Sequence, residues 1–151
     1  MTGFWALLGA VAVVAVVGVV LRARNGRVRL AAPRAVVPGA VPPAPVLPGP
    51  VRDLLDPAAP VTLVQLSTTF CTTCRQTKAL LADLARRTEG LRHVELDVTD
   101  LPDVAADLGV LRAPTTLALD PSGAELLRVG GVPKGDTLLA ALRPHLPGPI
   151  G

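Results

Sequence analysis

Apolar and polar positions divide this chain into stretches of different period. Residues 3–21 form an almost wholly apolar run with no charged side chain. As a helix it would measure about 28 Å, enough to cross the hydrocarbon core of a bilayer. Trp5 near its start suits the membrane interface. Residues 31–60 show no periodicity and hold nine prolines. From Val61 onward the pattern becomes that of a packed domain. Val61–Ser67 is a continuous apolar run that predicts a buried strand. Cys71–Arg87 predicts a helix with Leu80, Leu81, Leu84 and Ala85 on its inner side. Arg92–Asp97 predicts a second strand, and a short helix follows, capped by Asp100, with Pro102 in its first turn and Gly109 at its stop. Thr115–Leu119 and Glu125–Val129 predict a hairpin around the turn Asp120-Pro-Ser-Gly123. A last helix starts at Pro133, turns Leu138, Leu139 and Leu142 inward, and ends by Pro147. Strands that alternate with helices predict a parallel pair with a right-handed crossover and an α/β fold. The expected organisation is a transmembrane helix over 3–21, a basic juxtamembrane segment and Pro-rich linker over 22–60, and a folded domain over 61–147.

Composition changes this picture in two ways. Tyrosine is absent and the aromatic residues are Phe4, Trp5 and Phe70, so the core must be aliphatic. The net charge of +3 is unevenly spread: residues 1–57 carry six arginines against Asp53 and Asp56, whereas residues 58–151 carry nine basic and ten acidic side chains. The basic excess therefore belongs to the N-terminal region, and no nucleic-acid partner is expected. A cleaved signal peptide is the alternative to a membrane anchor, but it needs positive charge before the apolar run and a small-residue cleavage site after it. Here Arg22, Arg24, Arg27 and Arg29 follow the run. By the positive-inside rule they keep the downstream domain in the cytoplasm of a single-pass cell-membrane protein, with an extracytoplasmic domain as the alternative. The Pro-rich segment predicts a semi-rigid spacer reaching up to roughly 90 Å in polyproline geometry. A Pro-rich ligand for a partner is the competing reading.

The chemistry centres on Cys71-Thr-Thr-Cys74, which contains the only two cysteines. The pair falls at a predicted strand-to-helix junction. Unpaired N–H groups and the helix dipole there favour thiolate over thiol and lower the first cysteine's pKa from about 8.5. The second thiol, one turn on, can attack a mixed disulfide formed at the first. Half of a zinc site is the other use of such a pair, but it requires two more ligands. His93 and His145, the only imidazoles, lack zinc-motif spacing to the cysteines, so no metal is expected.

From Val61 to Leu146 the chain resembles the thioredoxin superfamily, in particular membrane-anchored thioredoxin-like proteins. The resemblance rests on the order of elements, the C-x-x-C after the first strand, Ala113-Pro114-Thr115 before the third, and Val129-Gly130-Gly131 after the fourth. It implies a minimal βαβαββα core and dithiol–disulfide exchange with protein partners, with Cys71 attacking and Cys74 resolving. It also implies a cis Ala113–Pro114 bond, with the Ala113 backbone pairing with a substrate strand beside Pro114 and Thr115. The cofactor is then the redox-active disulfide itself, and the electron donor is not identified. Phe70 matches the usual aromatic before the first cysteine. Thr72 and Thr73 replace the usual Gly-Pro; their hydroxyls can donate to sulfur or cap the helix. Gln65 stands where thioredoxins carry a buried acid, and His93 is expected where the family often places a lysine near it. Gln65 cannot act as a base; His93 can, or it is a strand-surface residue without a role. The resemblance extends to extracytoplasmic proteins that serve cytochrome c maturation or disulfide handling. A tethered binding module with a structural disulfide is the reading from a different class.

Overall fold

The computed structural model describes residues 2–24, 26–31 and 47–148. Helix α1 spans Thr2–Arg24, and its Trp5–Ala23 stretch, of mean hydropathy 2.5, is long and apolar enough to cross a membrane or to serve as a signal sequence. A short strand β1 (Val28–Leu30) and a helical turn α2 (Gly49–Arg52) come next. The core follows the predicted order: β2 (Val61–Ser67), α3 (Thr72–Arg87), β3 (Leu91–Asp97), α4 (Pro102–Asp107), β4 (Thr115–Leu119), β5 (Glu125–Gly130) and α5 (Gly135–Leu142). A 3-10 turn over Arg143–His145 closes the described chain.

The five strands form one mixed sheet in the order β1-β5-β4-β2-β3. β2 and β3 run parallel, and the other neighbouring pairs are antiparallel. Every residue of β2 is buried, as its unbroken apolar run requires of a central strand. Alternate residues feed two cores. Val61 and Leu63 join Leu81, Leu84, Leu127, Leu138 and Leu142 under α3 and α5, while Val64 and Leu66 join Val51, Val104, Leu117 and Leu119 under α2 and α4. Each fully buried leucine contributes about 1.5–3 kcal/mol. Both cores are aliphatic. On α3, Cys74, Thr77, Leu81 and Leu84 are buried on one face, with Leu80 and Ala85 packed beside them.

The structure departs from the sequence reading before Val61. The segment 22–60 does not serve simply as juxtamembrane chain and linker. Val28–Leu30 pairs antiparallel with Leu127–Val129, and Val28 packs against the core under α3. Val51 is completely buried. A short turn of helix over Gly49–Arg52 precedes the domain. Half of the expected polyproline spacer, residues 32–46, lies outside the described residues. Elsewhere the second strand begins one residue earlier, at Leu91, and Leu101 takes the N-cap position of α4 that Asp100 was expected to fill.

Candidate active site

Strand β2 carries the chain to Ser67, and Thr68, Thr69 and Phe70 bring it over the end of the sheet. This loop is tied to the loop after β3: the Thr69 amide donates to the Thr99 hydroxyl at 2.9 Å, and the Thr99 amide donates to Asp97 at 2.9 Å. The Thr99 hydroxyl and amide hold the Asp97 carboxyl below its usual range. Phe70, next to the first cysteine, is fully exposed.

Cys71 is the N-cap of α3, with extended backbone (φ −92, ψ 100), and its sulfur accepts from the Cys74 amide at 3.1 Å. The Thr73 hydroxyl lies 3.3 Å from the same sulfur, and Thr72 is exposed. The two cysteines form a disulfide with Cα atoms 5.2 Å apart. Their environments differ: Cys71 is half-buried, whereas Cys74 is 2% exposed. The cap itself is thus the sulfur, and of the two expected threonine roles, Thr73 takes the one at sulfur. The Cys74 amide and the Thr73 hydroxyl are the donors that a Cys71 thiolate would use in the dithiol state.

The loop before β4 reaches the same end of the sheet. Thr115 pairs with Leu66 on one side and with Gly130 on the other. Ala113–Pro114 is a cis peptide bond, Pro114 is buried, and its carbonyl accepts from the Gly131 amide at 2.8 Å. The Thr115 hydroxyl donates to the Arg112 carbonyl at 2.7 Å, which fixes the loop from inside. Ala113 is half-buried at the rim.

Beneath the cysteines the structure brings together a different set from the expected Gln65–His93 pair. In the parallel register Gln65 faces Glu95, and His93 faces Leu63. The Gln65 amide donates to the Cys74 carbonyl at 2.9 Å and reaches the Glu95 carboxylate at 3.5 Å. Glu95 in turn pairs with Lys78 of α3 at 2.7 Å. Burial pushes the Glu95 carboxyl up, but the Lys78 ammonium, the Ser67 hydroxyl and His93 together hold it below its usual value. Glu95 is therefore ionised at neutral pH. It lines a hollow of about 490 Å³ together with Cys71, Cys74, Phe70, Arg75 and Asp97.

His93 lies one same-face position farther from the cysteines. It is half-buried, not on the strand surface, and its Nε2 is buried without a hydrogen-bond partner. Burial lowers its pKa, Glu95 opposes that shift, and Lys78 adds to it. Sequence reasoning gave no role to Glu95 or to Lys78. The usable signal was Gly90 just before Leu91: a strand begun there, opposite Val61, sets Gln65 against Glu95 by counting.

The chain matches the family described as Thioredoxin over residues 52–144. It is 30% identical over 96 residues to thioredoxin 1 of Nostoc sp. (strain PCC 7120), a match covering 63% of this chain and 88% of that protein. Among solved structures, thioredoxin NaTrxh from Nicotiana alata superposes with a TM-score of 0.51 at 30% identity, over 58% of this chain and 74% of that one. The reduced thioredoxin pre-protein of Schistosoma mansoni gives a TM-score of 0.55 at 20% identity, over 65% of this chain and 91% of its own. That second likeness shows the fold. With the family matched across more than half of the chain and a Cys-x-x-Cys disulfide capping the first helix of the core, the protein belongs to the thioredoxin family and is a thiol–disulfide oxidoreductase.

Proposed function

We propose that the protein is a membrane-anchored oxidoreductase that exchanges disulfides with protein partners, with Cys71 attacking and Cys74 resolving. The observation that carries the assignment of roles is the unequal exposure of the two sulfurs, since an incoming disulfide can reach Cys71 but not Cys74. In the reducing direction the Cys71 thiolate attacks one sulfur of the partner disulfide. That S–S bond breaks, one partner thiolate leaves, and a Cys71 mixed disulfide forms. Cys74 then attacks the Cys71 sulfur and expels the second partner thiolate. The domain ends oxidised and the partner ends as a dithiol, two electrons richer. Donors at the Cys71 sulfur stabilise the attacking thiolate, and Phe70 and the Ala113–Thr115 rim offer the contact surface.

The resolving step requires Cys74 to lose a proton inside the protein. Gln65 cannot accept it, so its part is positional: its amide pins the Cys74 carbonyl to the sheet. The ionised Glu95 carboxylate in the same hollow takes the proton. His93 stands farther off and serves as a neutral neighbour of Glu95.

The apolar helix α1 anchors the enzyme, and Arg22, Arg24, Arg27 and Arg29 favour a domain on the cytoplasmic side, where the pair works as a reductant. The partners are protein disulfides, and a separate dithiol donor must restore the reduced pair.

Substitution tests the mechanism. Cys71→Ser is expected to abolish reduction of insulin disulfides, and Cys74→Ser to accumulate a mixed disulfide that a non-reducing gel detects. Turnover surviving in Cys71→Ser would sink the assignment. A membrane-impermeant maleimide applied to intact and lysed cells reports the side: labelling only after lysis supports the cytoplasmic placement, and labelling of intact cells overturns it.

A further inference from the structure

The anchor and the catalytic end of the sheet are joined by a very short connection. The apolar stretch of α1 ends at Ala23, whose carbonyl accepts from Arg27 Nε at 2.8 Å. Gly26, only three positions on, donates its amide to the Gly130 carbonyl at 2.8 Å. Three residues span at most about 10 Å. β1 then runs down β5, and the Ala31 amide donates to the Leu126 carbonyl at 3.0 Å. Gly130 pairs with Thr115, next to the cis Pro114, and Thr115 pairs with Leu66 near the end of β2. The chain therefore enters the sheet at the end that carries Pro114 and the cysteines, not at the opposite end.

The joint is closely fitted. Gly26 has φ +72, and a Cβ there would collide with the Val132 carbonyl oxygen. Only glycine meets both conditions without strain. Leu21 of α1 shares a hollow with Leu111 and Arg112 of the loop before Pro114. Leu111 is 96% exposed, and Arg22, Arg27 and Arg29 are exposed around the junction. Apolar and cationic side chains displayed together complement the anionic surface of a bilayer. The family match begins at residue 52, so β1 lies outside the matched stretch. The Pro-rich segment follows β1 and precedes α2; both of these flanks belong to the folded unit, so it does not lie between anchor and domain.

We propose that β1 is a bracket that holds the catalytic end of the sheet at the membrane surface, and that the substrates are disulfides of membrane proteins lying close to the headgroups. Strand β2, which leads into the cysteine loop, lies three strands from β1, about 14 Å sideways at the usual strand spacing. Without slack in the connection, the active site sweeps a thin layer beside its own anchor. This inference rests on α1 being a membrane anchor.

The test uses the full chain in vesicles of mixed zwitterionic and anionic lipid. The probes are disulfide-bonded peptides on a transmembrane anchor, held by rigid helical spacers either at the headgroups or about 50 Å above them, at 1.5 Å per spacer residue. The intact protein is expected to reduce the near probe at least tenfold faster than the far one. Gly26→Val, which unseats β1 and frees residues 26–48 as slack, is expected to erase that preference while soluble insulin is reduced as before. Should Gly26→Val fail to fold, a flexible insertion of about thirty residues after Arg24 leaves β1 seated and is likewise expected to restore reduction of the far probe. Equal rates on both probes with the intact protein, or a preference unchanged by either variant, would overturn the proposal. Flotation of the protein with vesicles after alkaline washing is the separate check on the anchor. A protein that washes off removes the premise and the proposal together, whereas a protein that floats but shows no preference removes the bracket alone.

Discussion

The two ends of the sheet are built on opposite principles. At the end away from the cysteines every tight turn is filled. The Asp120 carboxylate accepts from the amides of Ser122 and Ala124, each at 2.9 Å, and closes the β4–β5 turn on itself. Gly90, at φ +78, leads into β3, and a Cβ there would sit 2.6 Å from the Pro147 ring and 3.3 Å from the Pro60 ring. At the catalytic end the loops are also tied by hydrogen bonds, yet large apolar side chains stand in solvent. Phe70 and Leu111 are 100% and 96% exposed. Phe70 is the domain's single aromatic residue, and it is spent on the surface beside Cys71 while the core is filled with leucine and valine. Burying Phe70 would add stability. The contrast marks one end as structural and the other as a place where a partner or a membrane completes the contact.

The contrast can be broken at its closed end first. Gly90→Ala forces a side chain into the left-handed region and against stiff proline rings, so a loss of about 2–4 kcal/mol is expected in urea unfolding. Insulin reduction per folded molecule should stay unchanged. A loss of activity without a loss of stability would erase the division between the two ends.

A smaller effect is expected at the catalytic end. Glu95→Gln keeps the shape but removes the proton acceptor, so release of the mixed disulfide should slow roughly ten- to hundredfold near neutral pH. The deficit should fade as pH rises and Cys74 ionises without help. A rate increase in the variant would mean that the Glu95 charge acts only by repelling thiolate, which is the opposite role.

The smallest effect sharpens the comparison midway between the ends, at His93. Its folded pKa is lowered by burial, so below about 6.5 the unfolded chain binds the proton more readily. The stability from a neutral His93 is fully present above that value and is lost as pH falls below it towards the folded pKa. Glu95 and Asp97 are held below the usual carboxylate values and stay charged in this window. Unfolding free energies measured between pH 5 and 7.5 should therefore slope downward on the acid side, and His93→Leu should flatten that slope. An unaltered slope would show that His93 is free to take up its proton in the folded state.

Much of the core was legible because its signals are local. The buried run of β2, the helical face of α3 and the residues of the Asp120 turn announce themselves within a few positions. β1 was not legible. Val-Arg-Leu is three residues long, lies among arginines, and becomes a strand only because β5 offers a free edge. The proton-handling partner of the site was misplaced for a related reason. Glu95 and His93 share one face of β3, two residues apart, and which of them stands beside Gln65 depends on the register between β2 and β3.

By itself, then, the sequence determined the apolar helix, the order of core elements, and a cysteine pair at a helix N-terminus. Each of these follows from periodicity or from contacts within a single turn. Only the tertiary structure decided that Glu95 faces Gln65 across thirty residues, that Pro114 shares the cysteines' end of the sheet, and that β1 brings the anchor to that same end. Those placements are pairings between distant segments, and their energy comes from the register in which strands bury their faces together, which no local stretch of the chain contains.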